Sequence, residues 1–303
     1  MTQLPHGQRL GVDMVSRLVA TQFPEWAHHA VVEVLPGGND NRTFRLGDDL
    51  LVRLPSAAGY AAQVEKEHRW LPVLGPAVPL PIPVPVALGA AADGFRWAWS
   101  VYRWIDGTTI SDDGLPDAGA SACATALADF LSALHRVDPD GGPPPGEHNF
   151  YRGGPLATYD AETRASITGL GTAIAGPAAL DVWDSALAAQ WTGPPVWLHG
   201  DVAAGNLLLR DGQLAAVIDF GCCAVGDPAC DLTIAWTVFA GTSRETFRDR
   251  LKLTDGTWAR ARGWALWKAA ITLVQHLGSG SGEEAAALRV INDVIADHAA
   301  GPV

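Results

Sequence analysis

Basic residues are scarce in this chain, with 21 Lys and Arg against 33 Asp and Glu and a formal net charge of −12 over 303 residues. An acidic surface repels the phosphates of nucleic acids and the headgroups of anionic membranes, so we expect neither as the main partner. The charge is compatible with a small cationic ligand, although many proteins are acidic for solubility alone.

Cysteine is also sparse, and none of the four cysteines belongs to a Cys-x-x-Cys pair. Cys222, Cys223 and Cys230 stand close together without a nearby histidine, which is a poor spacing for zinc and favours buried thiols in a reducing compartment. No apolar run approaches the ~18 residues that span a bilayer. Residues 1–10 lack the basic-then-apolar pattern of a secretion signal. The sequence therefore predicts a cytoplasmic protein.

Apolar residues make up 48% of the chain and charged residues 18%, which is typical of a globular protein with a sizeable core. Helical periodicity over 10–30 and 57–74 is combined with short β-rich runs, whereas the rest of the chain is mainly helical. We therefore predict an α+β fold. A small N-terminal lobe, 1–104, would hold an antiparallel sheet and one main helix, and a larger C-terminal lobe, 105–303, would be mostly helical.

Two motifs carry most of the chemical information, namely His199-Gly-Asp-Val-Ala-Ala-Gly-Asn206 and, after the next apolar run, Ile218-Asp-Phe-Gly221. Phosphoryl transfer from a nucleoside triphosphate needs a group that orients the attacking hydroxyl and oxygen ligands that hold magnesium on the phosphates. A kinase-type catalytic loop supplies an Asp, an Asn and a second Asp for these tasks. Asp201, Asn206 and Asp219 occur in that order, between strand-like runs.

The same region departs from the protein-kinase pattern. Gly200 stands where protein kinases carry the Arg that pairs with a phosphorylated activation loop. Only a short segment separates Gly221 from Gly226-Asp-Pro228, which leaves no room for a long activation segment. These differences argue against a protein kinase and against control by phosphorylation of this segment.

Together the motifs resemble the aminoglycoside phosphotransferase family, whose members phosphorylate hydroxyls of antibiotics and other small molecules and include macrolide phosphotransferases. The resemblance lies in residues 198–206, 217–221 and 226–232 and covers most of the chain. It implies a two-lobed protein-kinase-like fold that uses ATP or GTP with Mg²⁺. It further implies roles for four polar residues and for one histidine: Asp201 as the catalytic Asp, Asn206 and Asp219 as metal ligands, and His199 and Asp231 as braces of the loop.

The N-terminal half contains a turn that could fold over the triphosphate, with backbone N–H groups directed at phosphate oxygens. Its candidate residues lie between two predicted strands: Gly37, Gly38, Asn39 and Asn41. Any hairpin can carry such residues, so the motif alone is weak. On the later strand 97–105, Ser100 and Tyr102 would belong to the hinge that faces the purine, which leaves ATP and GTP equally open.

Arg53 is the only cation on the third predicted strand, where kinases carry a phosphate-pairing Lys. By the resemblance it takes that role, although Arg and Lys are not geometrically equivalent. Its partner carboxylate should be Glu67, which shares the apolar stripe of its helix, and not Glu65. The alternative is that Arg53 is a surface residue of an edge strand.

The acceptor is the open question. The segment 155–190 contains acidic residues that could bind a polyamine sugar, namely Asp160, Glu162, Asp181 and Asp184. They could equally be solvated helix faces, and the apolar residues nearby would suit a macrolide. A metabolite kinase for an amino alcohol or a sugar, and a catalytically silent nucleotide-binding protein, remain alternatives. The oligomeric state is likewise open.

Overall fold

The structure is a computed structural model that describes residues 10–35, 37–38, 40–110, 114–115 and 117–301, with the backbone alone for 117–118. Asn39, one of the predicted nucleotide-binding residues, lies outside this part. The chain forms two compact units. The first comprises the described residues up to Asp106 together with Ala216–Cys222, and the second comprises Gly107–Ala215 and the described residues from Cys223 onward.

The first unit is built on a five-stranded antiparallel sheet with the strand order β1-β2-β3-β5-β4. Its strands are β1 (Val31–Glu33), β2 (Asn41–Leu46), β3 (Leu50–Pro55), β4 (Pro85–Gly89) and β5 (Trp99–Arg103), and its helices are α1 (Val12–Gln22) and α2 (Ala58–Leu74).

Alternation along the strands decides which residues of this sheet enter the core. Val52 and Val101 are fully buried and pack with Val15 and Leu18 of α1. Because successive side chains of a strand point to opposite faces, Arg53 and Tyr102 lie on the other face of the sheet, with Glu67 of α2. The sheet therefore separates an apolar layer from a layer of polar side chains.

Two elements of this unit differ from the prediction. The first helix ends at Gln22 and not near residue 30, because Pro24 follows and its preceding residue Phe23 is not helical. β4 begins at the end of a segment, 80–85, in which proline alternates with apolar residues, a pattern typical of an extended connection and not of a strand. Proline is tolerated there because Pro85 begins a strand at the edge of the sheet.

The second unit is mainly helical. Its helices are α3 (Asp117–Leu134), α4 (Asp160–Leu170), α5 (Gly176–Ala188), α6 (Ile234–Thr237), α7 (Gly241–Leu251), α8 (Asp255–His276) and α9 (Gly282–Ala299). The remaining strands of the chain are β6 (Thr108–Thr109), β7 (Val196–Leu198), β8 (Leu207–Arg210), β9 (Gln213–Val217) and β10 (Ala224–Gly226).

The long helix α8 organises this unit, because it packs against α4, α5 and α9. β7 pairs with β10 in an antiparallel register that places Val196 opposite Gly226 and Leu198 opposite Ala224. The start of the loop that follows β7 is thereby fixed next to the beginning of β10. Within the described part of the chain, no helix combines the length and the apolar character that crossing a bilayer requires.

Candidate active site

In the first unit the guanidinium of Arg53 bridges two carboxylates. Its Nη1 lies 3.3 Å from Glu67 Oε1, and its Nη2 lies 2.6 Å from Asp219 Oδ1. The side chain of Arg53 is only 11% exposed, whereas that of Asp219 is 32% exposed. A planar fork with several N–H donors is suited to such a bridge, which a single ammonium group cannot reproduce with the same geometry.

Tyr102 completes this group by donating its hydroxyl hydrogen bond to Glu67 Oε2. We call Arg53, Glu67, Tyr102 and Asp219 the Arg53 cluster. Burial opposes the charge on Arg53, but Asp219 and Glu67 outweigh it and raise the pKa of Arg53. Burial and the charge of Glu67 raise the pKa of Tyr102 well above its ordinary value. The cluster therefore holds one cation and two acidic side chains in a fixed arrangement.

The positions of the neighbouring residues follow from the same helix and strands. Glu65 is exposed, so of the two glutamates only Glu67 faces the sheet. Ser100 lies on the same face, with its Oγ 3.1 Å from His68 Nε2. The sequence predicts Ser100 and Tyr102 as hinge residues that act through their backbone. It does not predict the side-chain contacts of Ser100 with His68 and of Tyr102 with Glu67.

The glycine turn between β1 and β2 is described in part. Gly37 and Gly38 are exposed, and neither adopts a positive φ. Asn41 is buried as the first residue of β2, where it pairs with Pro55. Asp40 accepts a 2.9 Å backbone hydrogen bond from Ser56, which fastens the turn to the end of β3.

In the second unit the loop after β7, residues 199–206, is shaped by backbone hydrogen bonds. We call it the Asp201 loop. Fully buried Asp231 accepts from the backbone N–H of His199 and of Gly200, each at 2.7 Å. Gly200 has a φ of 87°, a left-handed conformation that favours glycine. The backbone N–H of Asp201 in turn donates to His199 Nδ1 at 3.2 Å.

Asn206 links the end of the Asp201 loop back to Asp201. Its Nδ2 donates to the carbonyl oxygen of Asp201 at 2.8 Å and lies 3.4 Å from Asp201 Oδ2. The amide nitrogen is thereby fixed on Asp201, and its partner atom Oδ1 makes no hydrogen bond within the described residues. Amide and carboxylate oxygens are hard ligands of the kind that magnesium prefers.

Lys268 of α8 forms an ion pair with Asp201, with Nζ 2.8 Å from Oδ1. The Asp201 side chain is 37% exposed, so solvent and ligands can still reach it. Burial would raise the pKa of Asp201, but the charge and hydrogen bond of Lys268, helped by Arg152 and His199, hold it below its usual range. The carboxylate is therefore ionised at neutral pH.

The segment after β10 also supports the Asp201 loop, because it contains Asp231. Asp227 caps the 3-10 helix Pro228–Thr233 by accepting a hydrogen bond from the backbone N–H of Ala229. Asp227 also forms a buried ion pair with Arg260, at 2.6 Å. Burial raises the pKa of Asp231, although its two backbone donors and His199 oppose that shift.

The predicted acidic acceptor residues all make contacts inside the second unit. Asp160 and Asp184 both bind Arg164, at 2.8 Å and 2.5 Å. Glu162 accepts a hydrogen bond from Trp267 Nε1 at 2.7 Å. Asp181 lies 3.2 Å from His298 Nε2. Asp160 and Asp184 are thus ion-paired locally, whereas Glu162 bonds a neutral indole and the side chain of Asp181 is 77% exposed.

The family model described as the phosphotransferase enzyme family matches residues 31–264, which is most of the chain and includes both motifs. The chain belongs to this phosphotransferase enzyme family. No curated protein sequence matches the chain.

Solved structures resemble this phosphotransferase over nearly its full length. A GDP complex of aminoglycoside 2'-phosphotransferase-IIIa has a TM-score of 0.71 at 20% identity, covering 95% of this chain and 99% of that chain. The streptomycin–ATP complex of APH(2")-IIa has a TM-score of 0.61 at 16% identity, covering 94% and 97%. Macrolide 2'-phosphotransferase MphH from Brachybacterium faecium has a TM-score of 0.58 at 21% identity, covering 92% and 97%. These likenesses confirm the predicted α+β kinase-like fold.

Two residues of this phosphotransferase escaped the sequence analysis. Lys268 is separated from Asp201 by 67 residues and lies in a helix whose tryptophan spacing is typical of a buried core helix. Arg152 follows a Pro/Gly-rich segment without a recognisable motif. A local pattern cannot reveal either residue, because both approach Asp201 only through the folding of the second unit.

Proposed function

We propose that this protein transfers the γ-phosphate of ATP or GTP to a hydroxyl of a small molecule, with Mg²⁺. The observation that carries the proposal is the geometry of Asp201. Its carboxylate is ionised and partly exposed, and Asn206 and Lys268 hold it in place. Such a group can orient an acceptor hydroxyl and take up its proton.

The chain's own oxygens fit the metal. Asn206 Oδ1 and Asp219 Oδ2 are hard donors without a hydrogen bond among the described residues, and each is suited to be a magnesium ligand. When bound, Mg²⁺ would neutralise part of the charge of the phosphates. Arg53 would hold a phosphate oxygen while Glu67 and Tyr102 fix its guanidinium. The backbone of Gly37 and Gly38 would cover the triphosphate.

The names of the structural relatives support either nucleotide, since one was solved with GDP and another with ATP. The printed names of these relatives make aminoglycosides and macrolides the first acceptors to test, with antibiotic resistance as the physiological role. A cytoplasmic location would supply the nucleotide, and the four cysteines are buried and form no disulfide among the described residues.

A metabolite kinase is the second candidate, and one observation favours it. Two cations, Lys268 and Arg152, act on Asp201, and two of the acidic residues expected to attract a polyamine, Asp160 and Asp184, are already paired with Arg164. Lys268 and Arg152 would repel a cationic acceptor, an amino alcohol included, so the acceptor of this second candidate is a sugar.

The test is a transfer assay with γ-labelled ATP and GTP against aminoglycosides, macrolides, sugars and hydroxy acids. We expect a phosphorylated product, identified by mass spectrometry, that depends on Mg²⁺ and is lost in Asp201→Asn. A second measurement needs no acceptor. Calorimetry compares nucleotide binding with and without Mg²⁺ for the wild type and for Asp219→Ala. Nucleotide binding without any transfer would favour the silent alternative, and absence of binding would overturn the proposal.

A further inference from the structure

Arg152 is held by aromatic rings and not by a carboxylate. Its guanidinium carbon lies 4.6 Å from the ring centroid of Trp267 and 5.4 Å from that of Trp264, both on α8. Tyr159 stacks on Trp267 with centroids 4.1 Å apart. Within the described part of the chain, no carboxylate comes within ion-pair distance of Arg152.

Other partly buried arginines of the same unit are paired. Arg260 binds Asp227, and Arg248 and Arg262 both bind Asp297. Glu162, which lies against this aromatic group, accepts a hydrogen bond from Trp267 Nε1 and forms no ion pair with Arg152 within the described residues. The positively charged guanidinium of Arg152 therefore has N–H donors available to bind a ligand.

The loop that presents Arg152 is strained and tightly held. Phe150 and Tyr151 have φ values of 53° and 52°, which non-glycine residues adopt rarely and hardly ever in succession. Fully buried Asn149 accepts from Gly146 and donates to the carbonyl of Arg152, both at 2.9 Å. Tyr159 donates its hydroxyl to the carbonyl of Phe150 at 2.5 Å. Strain that surrounding contacts maintain is typical of binding sites.

The position of this loop links it to the reacting group. Trp267 and Lys268 are consecutive residues of α8, and Lys268 binds Asp201. A molecule that offers a hydroxyl to Asp201 therefore meets a guanidinium on an aromatic surface nearby. That surrounding favours a negative charge and disfavours an ammonium group.

We propose that Arg152, seated on Trp264 and Trp267, binds a carboxylate or phosphate of the acceptor, so that the preferred acceptors are hydroxylated anions and not polycations. This inference rests on the proposed phosphotransfer at Asp201. It assigns Arg152 as a specificity residue, with Lys268 adding a second positive charge beside the base.

The test follows the indole N–H signal of Trp267 in nitrogen-15 spectra without nucleotide, assigned with Trp267→Phe. The titrants share a skeleton and differ in charge: glucuronate, glucose and glucosamine, with inorganic phosphate as a further anion. We expect the anions to shift this signal and the neutral and cationic sugars to leave it in place. Arg152→Gln should weaken the anion response at least tenfold, and Arg152→Lys should retain part of it.

Arg250→Gln serves as the matched control, because Arg250 is exposed in the same unit and pairs with Asp129. It should respond to anions like the wild type, and thermal unfolding should show that each variant is folded. The proposal is overturned if no anion moves the signal, if glucosamine moves it equally, or if Arg152→Gln responds normally. None of these results needs turnover, so they are distinct from a failed transfer assay, in which the anion response would persist.

Discussion

The Arg53 cluster of the first unit and the Asp201 loop of the second are stabilised in different ways. In the cluster, side chains from two strands, one helix and a distant segment hold one another by charge. In the loop, Asp231 binds two successive backbone N–H groups and fixes the path of the main chain. A cluster of side chains depends on the identity of every member, whereas a backbone anchor depends on one residue.

Under the proposed function, the difference also separates nucleotide binding from chemistry. The cluster offers a cation and oxygens suited to a triphosphate, and three of its four members, Arg53, Glu67 and Tyr102, are largely buried. The loop offers Asp201, which is more exposed and reaches solvent. Substitutions in the two regions should therefore have different signatures in rate, nucleotide affinity and stability.

The largest expected effect comes from Asp201→Asn. Loss of the proton acceptor should lower kcat by about 10²–10⁴-fold, because the group acts in the transition state. Since the backbone of the loop is held by Asp231, nucleotide affinity and the unfolding temperature should change little. Steady-state rates, calorimetry and thermal unfolding are compared with Asp211→Asn, an exposed aspartate of the same unit. A near-normal kcat would remove Asp201 from the mechanism.

Asp231→Ala tests the backbone anchor. Two buried N–H groups would lose a charged acceptor, and we expect a loss of about 2–4 kcal/mol in the free energy of unfolding, lessened because a buried carboxylate also disappears. Denaturant unfolding measures it. Asp129→Ala, which removes an exposed ion pair, should cost much less. Equal losses in both variants would show that Asp231 does not support the loop.

The sequence could predict both regions only where the signal was local. The spacing of Asp201, Asn206 and Asp219 is a short-range pattern, and the apolar stripe of α2 favoured Glu67 over Glu65. The contact between Arg53 and Asp219 joins residues 166 apart, and that between Lys268 and Asp201 joins residues 67 apart. Such contacts arise from the packing of distant segments, so no local motif predicts them. The strain at Phe150 and Tyr151 is likewise a property of the folded loop.

Arg53→Lys tests whether the cluster needs the fork. An ammonium group can keep one of the two carboxylate contacts, and the loss of the other is worth about 1.5–3 kcal/mol, or roughly 10–100-fold in kcat/KM. Arg53→Gln should lose more, including nucleotide affinity. The exposed Arg103→Lys in the same sheet is the control. If Arg53→Lys works as well as the wild type, the bridge to Asp219 has no role in turnover.

The smallest expected effect is a gain in stability, from Gln63→Leu. Gln63 of α2 is 2% exposed, and neither of its amide atoms has a hydrogen-bond partner among the described residues. It also touches the segment of Asp219, because a Cβ on Gly221 would lie 2.5 Å from Gln63 Oε1. A buried unsatisfied amide costs about 1–3 kcal/mol, and leucine has a similar size, so the unfolding temperature should rise by a few degrees. Gln213→Leu, at an exposed position of β9, should give no such gain.

If the gain in stability is accompanied by weaker nucleotide binding in calorimetry, the Gln63 amide serves a ligand at the Arg53 cluster. A fall in the unfolding temperature would instead show that Gln63 is satisfied in solution, and that the cluster is more completely hydrogen-bonded than its side-chain contacts indicate.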